Sequence, residues 1–363
     1  MSFSGSYRHD DVQFLLKPLP QQPFIDIAAK EELIQTGIRH YSEMLSPESL
    51  PSPIYQKVFN NAFSANRKQM AQDCLSLATL IASKRNNSIT LVSLVRAGTP
   101  VGVILKHLLQ KAMGREVSHY SISIIRDRGV DEAALNYILD KGHSPESIVF
   151  IDGWTGKGVI SQVLKKAISN FNLQRNIEID AGLYVLSDLA GSAAYAASSI
   201  DYLIPSSILN ATVSGLVSRS LLNSSIGPGD FHGCVYYEEF KSHDISIEFV
   251  DNLIEDAMNI FKTCGLQKRE PIDREKMERI SIEFLNKTMM DYGVSDVNYI
   301  KPGIGEATRV LLRRVPKMLI LRDTNALDVQ HLKVLAKEKL VPFIVDSSLP
   351  YQAVSLIRSN LDG

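Results

Sequence analysis

Short apolar, β-branched runs alternate with helical stretches between residues 88 and 204. The run Ile89 to Val95 is followed by a Gly-Thr-Pro turn and a helix-like stretch from Val101 to Met113, which makes one β-turn-α unit. Further strand-like runs lie at His119 to Ile125, Ile148 to Asp152, Gly182 to Ser187 and Asp201 to Ile204, with helical patterns near 131–140, 158–170 and 190–198. Such alternation predicts a parallel sheet covered by helices on both faces. Upstream, residues 1–50 contain Pro18, Pro20 and Pro23 and read as an irregular arm leading into a helix around 62–84. The segment 205–250 is rich in Ser, Gly and Asn and then in aromatics, as a hood over the sheet would be. Residues 251–290, including Lys268 to Arg279, have a charged amphipathic pattern and read as a helical connector. A second, smaller α/β domain is expected over 291–363, with strands at Met318 to Leu321 and Val341 to Val345 and helices around 304–314, 328–338 and 350–358.

Composition narrows this picture. With 45% hydrophobic and 22% charged residues, the 363-residue chain can bury a large core and form at least two domains, here a main unit over 51–250 and the smaller one. The net charge of -1 points to no polyanion or membrane partner for the whole chain, so any nucleic-acid surface must be local. Cys74, Cys234 and Cys264 are scattered without CxxC spacing, which argues against a disulfide framework and structural zinc and suits a reducing cytoplasm. The start MSFSGSYRHDDVQF lacks the apolar core of a signal peptide, and no segment approaches the roughly 20 apolar residues of a membrane span. The expectation is a cytoplasmic protein without a membrane partner, and a homo-oligomer is compatible with it.

Candidate chemistry concentrates where strands end. Ile148 to Asp152 runs through Gly-Trp-Thr155-Gly156-Lys157-Gly158 into a helix, so free amides at the helix N-terminus could cradle a phosphate while Asp152 holds ribose hydroxyls or Mg²⁺. An ordinary strand-to-helix turn is the plain alternative. A Walker A loop fits less well, since Ile151 and Gly158 stand where it needs Gly and Ser or Thr. Arg96-Ala97-Gly98-Thr99 closes an earlier strand and can offer bidentate donors to a pyrophosphate. Arg126 and Arg128 flank a third strand end as an anion clamp, or else as a salt-bridged turn. Ser214 and Ser218 share one face if their segment is helical. Cys234 lies near His232, but i and i+2 in a strand are about 6 to 7 Å apart; a catalytic dyad would need a distant partner such as His243 or His119.

Asp152 to Gly158 and Arg96 to Gly98 resemble the type I phosphoribosyltransferases, although Asp152 stands alone where that family usually has two acidic residues. That resemblance implies an α/β, parallel-sheet phosphoribosyltransferase-like core binding phosphoribosyl pyrophosphate (PRPP) with Mg²⁺ and passing ribosyl phosphate to a nitrogen acceptor with release of pyrophosphate. Asp152, Arg96, Arg126 and Arg128 would be its catalytic groups, with Ala97, Gly98, Thr99, Thr155, Gly156, Lys157 and Gly158 around the ligand. SLVRAGTP, FIDGWTGKG, IPSSILNATVSGLVSR and DFHGCVYYEEF together resemble the StiP-type proteins of bacterial tellurite-resistance and stress operons. That family is described both as phosphoribosyltransferase-like and as cysteine protease-like, so a cysteine peptidase using Cys234 and a non-catalytic nucleotide-binding regulator are the alternatives. Lys301 to Lys317 and the Leu-Ala-Lys-Glu-Lys-Leu-Val-Pro-Phe run resemble the Pelota and L7Ae-like RNA-binding fold, implying RNA contacts through Lys301, Arg309, Arg313 and Lys317.

Overall fold

The computed structural model describes residues 3–21, 25–46, 48–266 and 272–358. Six strands form an entirely parallel sheet: β1 (Gln13–Leu15), β2 (Ile89–Leu94), β3 (Val117–Ile122), β4 (Ile148–Thr155), β5 (Leu183–Asp188) and β6 (Tyr195–Ser198). Their spatial order is β1-β3-β2-β4-β5-β6. Strands buried on both faces need apolar residues at nearly every position, and the two-residue period sends alternate side chains to opposite cores. Leu91, Val149, Ile151, Tyr184 and Leu186 face one cluster, shared with the helices α2 (Pro53–Lys84), α3 (Gly98–Met113) and α6 (Ser246–Cys264). Val92, Phe150, Leu183 and Val185 face the other, under α4 (Glu132–Asp140) and α5 (Val159–Arg175). Burying each such side chain is worth about 1.5–3 kcal/mol.

The arm is more structured than its prolines suggest. It supplies β1, and helix α1 (Ile27–Gln35) starts where the Asp26 carboxylate accepts the Ala28 amide at 2.8 Å. Two further expectations need correcting. Residues 190–198 were read as helix, yet Tyr195–Ser198 is the edge strand β6, because pairing with β5 outweighs the helix propensity of its alanines. Asp201 to Ile204 forms no strand. The hood holds short 3-10 turns at Pro205–Ile208, Ala211–Val213 and Glu238–His243 and leads into α6, and its Gly233–Cys234 pairs with Lys17–Pro18 of the arm.

The connector region contains α6 and α7 (Arg274–Tyr292); residues 267–271, within the expected Lys268 to Arg279 helix, lie outside the described residues. The smaller sheet has β7 (Ile300–Pro302), β8 (Pro316–Leu321), β9 (Phe343–Val345) and β10 (Ala353–Ile357), in the order β7-β10-β8-β9. Residues 350–358, read as helix, instead supply the fully buried β10, which runs antiparallel between β7 and β8. Helices α8 (Ile304–Arg313) and α9 (Gln330–Glu338) complete this unit. It docks against the main sheet through Asp201, whose carboxylate accepts the Ile304 amide at 3.0 Å and the Gln352 amide at 2.8 Å. Asn66 donates to Asp328 at 2.9 Å across the same boundary. Among the described residues no helix is long and apolar enough to cross a membrane.

Candidate anion-binding cleft

From β2 the chain passes to β3 on one side, then crosses to β4 on the other, so a crevice opens beyond the carboxyl ends of β2 and β4. A cleft of about 400 Å³ lies there, closed on its far side by β7 and α8 of the smaller unit and by α1 of the arm. Two glycines allow this geometry. Gly158, at φ +77°, turns β4 into α5 while its amide donates to Thr155 Oγ1 at 3.0 Å. Gly305 packs on the Trp154 indole so closely that a Cβ would sit 2.5 Å from the ring.

Charge is the cleft's main property. Lys30, Arg126, Lys157, Arg219, Lys301, Arg309, Arg313 and Arg314 line it, against Glu31, Glu48, Asp152 and Glu306. Three of these acids are already taken: Glu31 pairs with Arg314 at 2.6 Å, Glu48 with Arg96 at 2.7 Å and Glu306 with Arg309 at 2.7 Å. The side chains of Arg313 and Lys301 make no hydrogen bond or ion pair within the described residues. Burial, reinforced by the neighbouring Arg96, lowers Arg313 to about 9, and burial lowers Lys301 to about 8. Burial and neighbouring cations bring Lys30 and Lys157 to about 7. Burial outweighs the nearby acids Glu31, Glu48 and Glu306 at these cations, and a bound anion would add to their counter-charge. Burial raises the Asp152 carboxyl to about 6, with Arg309 pulling the other way, while its oxygen accepts the Gly153 amide at 2.8 Å.

The residues singled out from the sequence are placed unevenly. Asp152, Thr155, Gly156, Lys157, Gly158 and Arg126 line the cleft. The Lys157 ammonium donates to the Val297 carbonyl at 2.6 Å, and the Arg126 guanidinium lies 5.6 Å from the Tyr41 ring centroid. Arg96 and Ala97 line a neighbouring chamber, where Arg96 is held by Glu48 and the Val217 carbonyl. Gly98 and Thr99 line neither cavity: Gly98 abuts the Ile151 backbone and Thr99 bonds the Ser121 hydroxyl at 2.7 Å. Arg128 also stands outside, paired with Glu43. Lys301, Arg309 and Arg313 face the cleft, with Arg309 stacked 4.4 Å from the Trp154 centroid, whereas Lys317 on β8 lines neither cavity. Ser214 and Ser218 share no helix; Ser214 lines the chamber and Ser218 accepts the Val235 amide. Lys30, Tyr41, Trp154, Arg219 and Glu306 were not singled out, although Trp154 and Arg219 stand inside motifs that were.

Asp152 is poorly furnished as a metal site. Among the described residues no three His, Cys, Asp or Glu side chains converge to hold an ion, so a Mg²⁺ at Asp152 would take its other ligands from water and a bound anion.

The thiols are equally constrained. Cys234 is fully buried, and burial pushes its thiol up to about 12. Among the described residues no imidazole hydrogen-bonds it: His232 bonds Ser123 at 2.7 Å, His119 bonds Ser93 at 2.8 Å and the Asp11 carbonyl at 2.9 Å, and His243 bonds Ser242 at 2.9 Å. Cys74 is buried in α2, and Cys264 is exposed at the end of α6.

Residues 5–254 match the family described as tellurite-like stress resistance cysteine protease StiP, and residues 279–359 match the PELOTA RNA binding domain. A protein of Acinetobacter baylyi named Cysteine protease StiP is 40% identical, over 98% of this chain and 94% of its own length. Two solved structures share 12% and 8% identity: a hypoxanthine phosphoribosyltransferase of Staphylococcus aureus, at TM-score 0.25 over 38% of this chain and 77% of its own, and a glycine-bound C-DES variant, at 0.24 over 93% and 88%. Likenesses this slight carry no argument. The phosphoribosyltransferase reading, with PRPP as substrate, is therefore overturned by the family match and the Acinetobacter relative, both of which carry the name of a cysteine protease. On that match, and on an alignment spanning nearly the whole chain, this protein belongs to the StiP family and ends in a Pelota-type RNA-binding domain.

Proposed function

We propose that the chain recognises a small ligand carrying a phosphate or carboxylate group in the cleft beyond β2 and β4. The observation that carries this reading is Arg313, a guanidinium set among Arg96, Arg219 and Arg309 with no ion-pair partner of its own among the described residues. Its acidic neighbour Glu48 is bonded to Arg96, so the planar donor fork of Arg313 is left for an incoming anion. Asp152, Thr155, Gly156, Lys157 and Gly158 form the β4 side of the site, Arg126 and Arg219 its hood side, and Lys301, Arg309 and Arg313 its far wall. Mg²⁺ enters this proposal only as an ion brought by the ligand and shared with Asp152. Calorimetric titration with sulfate at low ionic strength tests it: saturable binding in the wild type and at least tenfold weaker binding in Arg313→Met are expected, and a wild type that binds no sulfate sinks the reading.

The relative's name favours a second reading, thiol peptidase activity. On it Cys234 would attack a peptide carbonyl, and the segment around Gly233–Cys234 would have to separate from Lys17–Pro18 to expose the sulfur and admit an imidazole. Peptide hydrolysis lost in Cys234→Ala supports that reading; hydrolysis that survives the change removes Cys234 from it. Residues 291–363 belong to the proposal as a Pelota-type RNA-binding unit, divided from the main unit of 51–250 by the helices of 251–290.

A further inference from the structure

The cleft continues into the chamber of about 210 Å³ between the hood and the end of β2. Arg219, Arg309 and Arg313 border both spaces. Beyond these arginines the chamber changes character. Its wall holds no carboxylate; apart from Arg96, which is bonded to Glu48, it is built from residues such as Val95, Ile125, Leu209 and Val213 together with Ser206, Ser207 and Ser220. These three serines are more than nine-tenths buried, and their hydroxyl oxygens, tucked out of the open space, have no hydrogen-bond partner among the described residues. Buried polar groups are nearly always satisfied, so three unpartnered hydroxyls in one chamber wall call for a partner there. Rotation about χ1 brings a serine hydroxyl round at little cost, and each can donate as well as accept.

We infer that the chamber receives the uncharged, hydroxylated tail of a phosphomonoester whose anionic head sits at Arg313, so that cleft and chamber form one bipartite site. The inference rests on the anion recognition proposed above. With no acid in its wall, the chamber disfavours an ammonium-bearing tail. Apolar walls alone would suit a plain alkyl tail, but the serines would then stay unsatisfied. The volume equals about seven water-sized units at roughly 30 Å³ each, room for a short polyol. Water would satisfy the same hydroxyls, so a ligand gains only by reproducing those bonds.

Three probes of rising complexity test this by calorimetry on the full chain: inorganic phosphate, n-propyl phosphate and glycerol 3-phosphate. Glycerol 3-phosphate is expected to bind about tenfold tighter than n-propyl phosphate, as two gained neutral hydrogen bonds would give. In Ser206→Ala/Ser207→Ala that ratio should fall to about twofold or less while the affinity for inorganic phosphate stays unchanged. Equal or tighter binding of n-propyl phosphate, with inorganic phosphate bound normally, overturns the chamber assignment and leaves the cleft intact. Failure of the wild type to bind any of the three overturns both. Should the double variant not fold, Ser220→Ala provides the same comparison, and the wild-type ratio decides the matter by itself.

Discussion

Replacing Arg313 by methionine should make the ligand-free protein more stable and the site less able to bind. Methionine keeps the length of the side chain and its apolar stem while removing a charge that Glu48, already bonded to Arg96, compensates only in part. Arg313 is lowered to about 9 by burial and by Arg96. A suppression of that size corresponds to about 4–5 kcal/mol at most, and because the side chain opens onto the cleft, about 1–2 kcal/mol is the realistic part. For a chain of this size that is a rise in melting temperature of about 1–3 °C. The assay is thermal unfolding followed by circular dichroism at low salt, where screening is weakest, repeated along a sulfate series. Sulfate should raise the wild-type melting temperature progressively, as any ligand of the native state does. In Arg313→Met the starting temperature should be higher and the sulfate response nearly absent, since losing a charge-assisted contact worth about 1.5–3 kcal/mol weakens binding about 10- to 100-fold. A variant less stable than the wild type, or one with an undiminished sulfate response, would refute the view that Arg313 is a partly compensated, anion-binding charge.

Acidification should tighten sulfate binding, because sulfate keeps its charge between pH 8.5 and 6 while the cleft does not. As pH falls, Lys301 gains its proton near 8, Lys30 and Lys157 near 7, and Asp152 becomes neutral near 6, so every step makes the cleft more positive. Asp152→Asn should erase the step near 6; an affinity that is flat or rises with pH contradicts this ordering. Thiol titration with Ellman's reagent should give one fast equivalent in the native protein, from Cys264, and three after denaturation; a second fast native equivalent would show that Cys234 or Cys74 becomes accessible. Gly305→Ala should destabilise the protein by about 1–3 kcal/mol, read as a lower melting temperature, because its Cβ would lie 2.5 Å from the Trp154 ring; an unchanged melting temperature would show that the indole yields freely.

The parallel sheet was legible because its central strands are buried on both faces. Ile89–Leu94 and Leu183–Asp188 are buried at every position and mostly apolar, with Thr90, Ser93, Ser187 and Asp188 as the polar exceptions. Edges were harder to read. Gln13–Leu15 and Tyr195–Ser198 are three and four residues long and owe their conformation to a neighbouring strand rather than to their own pattern. Ala353–Ile357 was mistaken for helix because a short apolar run carries no period, and only its place between β7 and β8 makes it a strand. For the cleft, the β4 side could be found because Asp152 to Gly158 are consecutive in sequence. Lys30 and Glu31, from an arm that seemed unstructured, enter through a tertiary fold that no local spacing reports. The basic residues expected to contact RNA, Lys301, Arg309 and Arg313, turn instead toward the cleft, because amphipathic periodicity identifies a face without saying what covers it.

That direction bears on how the Pelota-type unit is used. Lys301, Arg309 and Arg313 would ordinarily be assigned to an RNA backbone, yet all three line the cleft, and Arg309 is held between Glu306 and the Trp154 ring. Releasing them would require the unit to leave the sheet. The docking is held by the Asp201 carboxylate, which accepts both the first amide of α8 and the Gln352 amide, and by the ion pair of Arg314 with Glu31 from the arm. An N-terminal amide capped by a buried carboxylate is costly to expose, since both partners lose a charge-assisted bond together. The same side chains therefore cannot serve the cleft and an RNA at once while Asp201 holds α8 in place. RNA bound by the docked unit has to use a different face, and RNA that competes with sulfate would show instead that the unit undocks to bind it.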